Sequence, residues 1–138
     1  MKRHASANWQ GTGKEGKGSL TSQSTVLNNT QYSFGTRFGE GIGTNPEELV
    51  AAAHAGCFTM QLSFNLNAAN FTADNIDTKC EITFDSEKKG ISLSHLTITA
   101  KIPGISTEKF EELVKNAKEN CPISKLFNTT ITYSATLV

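Results

Sequence analysis

The chain has 138 residues, enough for one domain with a real hydrophobic core. Its 13 basic and 13 acidic side chains cancel and are interspersed, which excludes a dedicated nucleic-acid surface resting on basic excess. Three widely spaced cysteines exclude a secreted disulfide framework, Met1-Lys2-Arg3 leads into HASANWQG rather than an apolar signal run, and no stretch is long and apolar enough to span a membrane, so a cytoplasmic protein is expected.

Residues 3–12 and 18–27 are Ser/Thr-rich and read as two strands joined by a turn at Gly13-Lys14-Glu15-Gly16. Gly11, Gly16 and Lys17 approach a phosphate-binding loop, but Gly18 stands where Ser or Thr belongs and a strand follows, so a nucleotide site is rejected. Residues 31–38 (QYSFGTRF) read as a third strand, with Tyr32, Phe34, Thr36 and Phe38 on one face and Arg37 on the other. Gly39 to Gly43 reads as a flexible connector, and Glu40, Glu47 and Glu48 argue against a phosphate there.

Thr44 to Leu66 is the longest helical segment. Thr44 with Glu47, or Asn45 with Glu48, forms a capping box, and Pro46 suits the first turn. The segment is apolar nearly all round, so burial on most sides is expected. The run AAAHAG offers small side chains that allow another backbone to approach.

Residues 75–86 alternate, placing Ile76, Thr78, Cys80, Ile82 and Phe84 on a core face. A turn at Glu87 to Gly90 leads to a strand over 91–102, with Leu96, Ile98, Ala100 and Ile102 inward and His95 outward as a solvated residue. Ser106 opens a helix reaching about Asn120, buried through Phe110, Leu113, Val114 and Ala117. Cys121-Pro122 begins a short helix over Ile123 to Phe127, and residues 129–138 form a closing strand. The order βββ-α-ββ-αα-β indicates an α+β fold with largely antiparallel pairing.

Three cysteines and a histidine carry the candidate chemistry. Cys121 lies at a helix N-terminus, where unpaired N–H groups favour a thiolate. Cys57 lies inside the long helix; taken alone it reads as a small packing hydrophobe, and desolvation would raise its pKa. Reactivity at Cys57 would need a cation, for which Arg37 is a candidate, and His54 at i−3 is also within reach. His54 reads by itself as a locally hydrogen-bonded helix residue. A zinc site from Cys57, Cys80, Cys121 and a histidine lacks any CxxC, HxxxH or HExxH pair, and a Cys-His hydrolase lacks a local nucleophile signature.

The string GTNPEELVAAAHAGCFTMQLS, with YSFGTRF upstream and NCPISK downstream, resembles the OsmC/Ohr family, and within it the osmotically inducible protein C branch. The resemblance covers nearly the whole chain, from HASANWQG to TTITYSATL. It implies one domain over residues 1–138, with mostly antiparallel sheets packed on a long central helix in an intertwined homodimer. The implied activity is thiol-dependent peroxidase, reducing organic hydroperoxides and, less well, hydrogen peroxide, in defence against oxidative and osmotic stress. No metal or bound cofactor is implied. Cys57 matches the peroxidatic cysteine, Cys121 the resolving cysteine, Arg37 the arginine that stabilises thiolate and peroxide, and Glu47 the glutamate that orients it by a bidentate pair. An external dithiol, lipoyl-type in the family, would restore the thiols. Phe58, Met60 and Phe64 are expected to line an alkyl pocket, and Cys80 has no assigned role. The rival readings are a catalytically idle dimer that keeps the fold and a Cys-dependent hydrolase or thioltransferase.

Glu47 and Cys57 are ten residues apart on one helix, roughly 15 Å along its axis. One guanidinium does not easily reach both on one unbroken helix. A composite site is therefore expected, with Cys57 from one subunit and Arg37 and Glu47 from its mate, where two antiparallel helices cross near Ala51, Ala52 and Ala53.

Overall fold

Short polar strands closed by a glycine-bounded turn open the chain. In the computed structural model, which describes residues 1–138, β1 (Ala5–Gln10) pairs antiparallel with β2 (Lys17–Ser22), and β2 pairs antiparallel with β3 (Thr30–Tyr32). The residues form two compact units, Met1–Leu49 and Val50–Val138.

The third strand is shorter than expected. It stops at Tyr32, and α1 (Phe34–Phe38) follows. The cause is a capping box made of two hydroxyls. Ser33 Oγ accepts from the Thr36 N–H at 3.2 Å, and Thr36 Oγ1 accepts from the Ser33 N–H at 2.8 Å. Two helix-end donors are thereby satisfied, which an extended segment would not require. Arg37 therefore sits in the last turn of a helix rather than on a strand face, and Phe34 and Phe38 stack at i, i+4 with ring centroids 4.8 Å apart.

The glycine loop is tied down rather than left as a plain connector. The Gly41 N–H donates to the Gly35 carbonyl at 3.2 Å and the Thr44 N–H to the Gln31 carbonyl at 2.9 Å. Gly43 has φ +132, and a Cβ there would collide with the Gln31 carbonyl, so glycine is required where the chain passes β3.

The long helix α2 runs unbroken from Pro46 to Ala68. Asn45 supplies the cap: its Oδ1 accepts from the Glu48 N–H at 2.8 Å, while the Thr44 hydroxyl donates to the Glu48 carboxylate. Burial does not extend to most sides of the helix. One stripe is buried, formed by His54, Phe58, Leu62 and Leu66, whereas Ala52, Gly56, Met60 and Phe64 form an exposed stripe.

In the second unit, β4 (Asn75–Asp85) and β5 (Gly90–Lys101) pair antiparallel with Cys80 opposite Leu96. Ser106 caps α3 (Thr107–Asn120) by accepting from the Lys109 N–H at 3.2 Å. Next come α4 (Pro122–Leu126) and β6 (Thr130–Leu137). β6 joins β5 in parallel, the one departure from antiparallel pairing between strands of a sheet, because α3 and α4 supply the crossover that a parallel pair needs. The core joins Phe58, Leu62 and Leu66 of α2 to Leu96, Ile98 and Ala100 of β5 and to Phe110, Leu113, Val114 and Ala117 of α3. Each large member contributes about 1.5–3 kcal/mol by leaving water. No helix is long and apolar enough to cross a membrane.

Candidate active site

The expected site residues fall into two pairs. The first pair, Arg37 and Glu47, lies in the first unit. Arg37 Nε donates to Glu47 Oε1 at 2.9 Å, and Nη2 lies 2.8 Å from the same oxygen. The fork closes on a single oxygen, so it is not the two-oxygen bidentate pair expected. Glu47 Oε2 is buried and accepts no hydrogen bond. Asn45 braces the pair, because its Nδ2 donates to the Thr36 carbonyl of α1 at 3.1 Å while its Oδ1 caps α2. The Arg37 side chain keeps 39% of its surface exposed. Its guanidinium carbon lies 5.1 Å from the centre of the Phe38 ring. Around it opens a cleft of about 120 Å³ lined by Trp9, Tyr32, Phe34, Phe38 and Pro46.

The second pair lies in the second unit. Cys57, on α2, is half-buried; Cys121, between α3 and α4, is fully buried; both are free thiols. Burial pushes the Cys57 thiol up, and the neighbouring Cys121 thiol pushes it further, while the Ile123 backbone N–H acts in the opposite sense. Cys121 stands at the start of α4 as expected, but its side chain makes no capping hydrogen bond. Its backbone is held on both sides, with its N–H donating to the Ala117 carbonyl at 2.9 Å and its carbonyl accepting from the Lys125 N–H at 3.0 Å.

A polar network lies one helical turn from Cys57. His54 is fully buried, its Nδ1 is 2.7 Å from Ser94 Oγ, and its Nε2 is 2.9 Å from Ser124 Oγ. Phe127 meets the imidazole edge-on, with centroids 4.8 Å apart. Burial lowers the His54 pKa. Neutral imidazole has one donor and one acceptor nitrogen, and the two serine hydroxyls satisfy both. Cys80 extends the network, with Sγ 3.3 Å from Ser94 Oγ and 3.8 Å from His54 Nδ1, and burial raises its pKa. No three His, Cys, Asp or Glu side chains gather into a metal-holding group.

A family model described as OsmC-like protein matches residues 39–135. The chain belongs to the OsmC-like family. It is 41% identical over 128 residues to Peroxiredoxin OsmC of Escherichia coli (strain K12), covering 91% of this chain and 90% of that protein. Among solved structures, it superposes on the organic hydroperoxide resistance protein OhrB of Bacillus subtilis with a TM-score of 0.64 at 26% identity, covering 98% of each chain. An OsmC-like protein from Mycoplasma pneumoniae shares the fold at a TM-score of 0.78 and 14% identity, covering 100% of this chain and 98% of that one.

Within this OsmC-like chain, the sequence reading missed two features. Phe58 lies in the core with no exposed surface, so it cannot line a pocket, whereas Met60 and Phe64 are each 61% exposed and Met60 lines an open cleft beside β4. The apolar surface around Arg37 comes instead from Trp9, Tyr32, Phe34 and Phe38. The aromatics of QYSFGTRF are the available signal, but their alternation has the period of a strand. The His54 network had no local signal, since its partners lie 40 and 70 residues away in sequence.

Proposed function

We propose that this OsmC-like chain is a thiol-dependent hydroperoxide reductase in which Cys57 is oxidised by the peroxide and Cys121 resolves it. The observation that carries the reading is that Cys121, far from Cys57 in sequence, lies close enough to shift the Cys57 thiol, with both sulfurs free. The Cys57 thiolate attacks the distal oxygen of ROOH; the O–O bond breaks, Cys57 becomes a sulfenic acid, and the alkoxide leaves as ROH after taking a proton. The Cys121 sulfur then attacks the sulfenic sulfur, forming the disulfide and releasing water. An external dithiol, lipoyl-type by family resemblance, restores both thiols by exchange and leaves as its own disulfide.

Burial and Cys121 both disfavour the Cys57 thiolate, so the first step needs positive charge at the sulfur. Arg37 supplies it, held by Glu47. Because α2 is continuous between Glu47 and Cys57, the reading assigns Arg37 and Glu47 to the second subunit of a homodimer, with the whole chain acting as one domain per subunit. Two observations support the crossing on α2. Ala52, Gly56, Met60 and Phe64 form its exposed stripe, and a Cβ added at Gly56 meets nothing within 4 Å in its own chain. The aromatic cleft beside Arg37 suits the organic group of an alkyl or aryl hydroperoxide better than the small polar hydrogen peroxide. A cytoplasmic location fits three unpaired thiols.

The test is consumption of cumene hydroperoxide with a dithiol reductant. Cys57→Ser should abolish turnover. Cys121→Ser should accumulate a sulfenic acid at Cys57, trapped by dimedone, with no intramolecular disulfide. Undiminished turnover in Cys57→Ser would refute the mechanism.

A further inference from the structure

His54 plays no part in the chemistry above, yet it is fully buried and both of its ring nitrogens are hydrogen-bonded. Its place in the chain is informative. His54 lies three residues before Cys57 on α2, and Ser124 lies three residues after Cys121 on α4. The 2.9 Å contact between them thus ties the helical turn beside one thiol to the turn beside the other. On the opposite nitrogen, Ser94 of β5 holds the ring at 2.7 Å, and Phe127 closes its edge. The ring is fixed by the sheet and reaches out to α4.

α4 is five residues long and too short to hold its own place. Its N-cap, Cys121, and the Ile123 N–H in its first turn nevertheless both lie close enough to Cys57 to shift its thiol. Something must fix this turn against α2, and His54–Ser124 is a buried polar contact doing so from the α2 side.

We infer that His54 is a positioning residue: through Ser124 it clamps α4 to α2 and sets the rate at which Cys121 closes on the Cys57 sulfenic acid. This rests on the peroxidase reading. The clamp acts on the second step, because disulfide closure needs two sulfurs held in line, whereas attack on the peroxide needs only Cys57 and its cation. Slower closure leaves the sulfenic acid exposed to a second peroxide molecule, which oxidises it to the sulfinic acid and is itself reduced to alcohol. The clamp therefore also protects Cys57 from irreversible oxidation.

The experiment is single-turnover oxidation of the full-length protein by cumene hydroperoxide. The sulfenic acid is followed by dimedone trapping and the disulfide and sulfinic acid by intact mass. Ser124→Ala removes the α4 end of the clamp with little change in volume. It should slow sulfenic-to-disulfide conversion by about five- to tenfold, the worth of one hydrogen bond. The peroxide step should fall by less, and more Cys57 sulfinic acid should form at high peroxide. Ser124→Thr, which keeps the hydroxyl, should restore closure. Unchanged closure in Ser124→Ala would overturn the clamp. So would an equal fall in both steps, the mark of a generally loosened site, or a failure of Ser124→Thr to rescue. If wild-type Cys57 forms no sulfenic acid at all, the peroxidase reading fails and the clamp with it, a result distinct from normal oxidation with unaffected closure.

Discussion

The two units handle charge in opposite ways. The first holds Arg37 and Glu47 as an ion pair at a partly open cleft, braced by Asn45 and by a capping box of hydroxyls. The second holds Cys57 and Cys121 against a core of Phe58, Leu62 and Leu66, in surroundings that disfavour a charged sulfur. The apolar unit holds two thiols in place, but its burial works against a thiolate at Cys57. The polar unit can present a cation but offers no nucleophile. The proposed peroxidase needs both environments, and it is easier to build each separately than to place a solvated guanidinium inside a core.

The largest expected effect breaks the apolar half. Phe58→Ala removes a ring with no exposed surface and should cost about 3–5 kcal/mol in urea unfolding. Because Phe58 is core rather than pocket, the ratio of activities toward alkyl and aryl hydroperoxides should not change in the protein that remains folded.

Breaking the polar half should cost somewhat less, and in rate rather than stability. Arg37→Ala should lower the peroxide step by about 10²-fold, the scale for losing one preorganised electrostatic group. It should also move the pH dependence of Cys57 alkylation toward higher pH, since burial and Cys121 already push this thiol up. Mixing Arg37→Ala with Cys57→Ser subunits sharpens the contrast. Heterodimers with a composite site regain one intact centre, so the mixture should be more active than either variant alone. Absence of complementation under subunit exchange would place both halves in one chain.

A smaller effect is expected at the brace. Asn45→Ala removes the α2 cap and the link to α1, costing about 1 kcal/mol of stability. The peroxide step should slow because Arg37 is less firmly held, while disulfide closure between Cys57 and Cys121 should not change. A change in closure alone would contradict the division of roles.

The mildest effect is a slope with pH. Burial lowers the His54 pKa, so the unfolded chain takes up a proton near pH 6.5 more readily than the folded one. The stability that neutral His54 contributes is complete above about pH 6.5 and is lost as pH falls below it toward the lower folded value. The groups facing the ring are Ser94 from β5, Ser124 from α4, Cys80 from β4 and the Phe127 ring, none of them a carboxylate that would favour imidazolium. On the alkaline side, Cys57 and Cys80 are raised from 9.0, so stability falls as pH climbs past that value. His54→Gln should flatten the acid slope and leave the alkaline one, as read by urea midpoints across pH.

Features carried by local periodicity were legible in the sequence. The stripe Phe110, Leu113, Val114 and Ala117, the alternation around Cys80 and the Cys121-Pro122 helix start all lie where the pattern places them. The pairing of Arg37 with Glu47 followed from the family motif and is present in one chain, although on a single carboxylate oxygen. α1 was not legible, because Tyr32, Phe34, Thr36 and Phe38 alternate like a strand and the decisive Ser33–Thr36 box uses threonine where the usual sign is Glu or Gln. Nor was the parallel β5–β6 pairing, whose cue was the pair of helices between those strands. The exposed stripe of α2 was not legible for a different reason: apolar residues all round a helix do not tell which of its faces the rest of the chain covers.

Cys57 and Cys121 stand far apart in the chain, and Cys121 is a corner whose peptide groups are committed to both flanking helices. A bond between the sulfurs would fasten the denatured chain into a long loop, a constraint of about 4 kcal/mol. The oxidised protein should melt at a distinctly higher temperature than the reduced one. Heat resistance then becomes a gauge of catalytic state, and a culture under peroxide challenge would carry the record of its last turnover in the melting curve of this one protein.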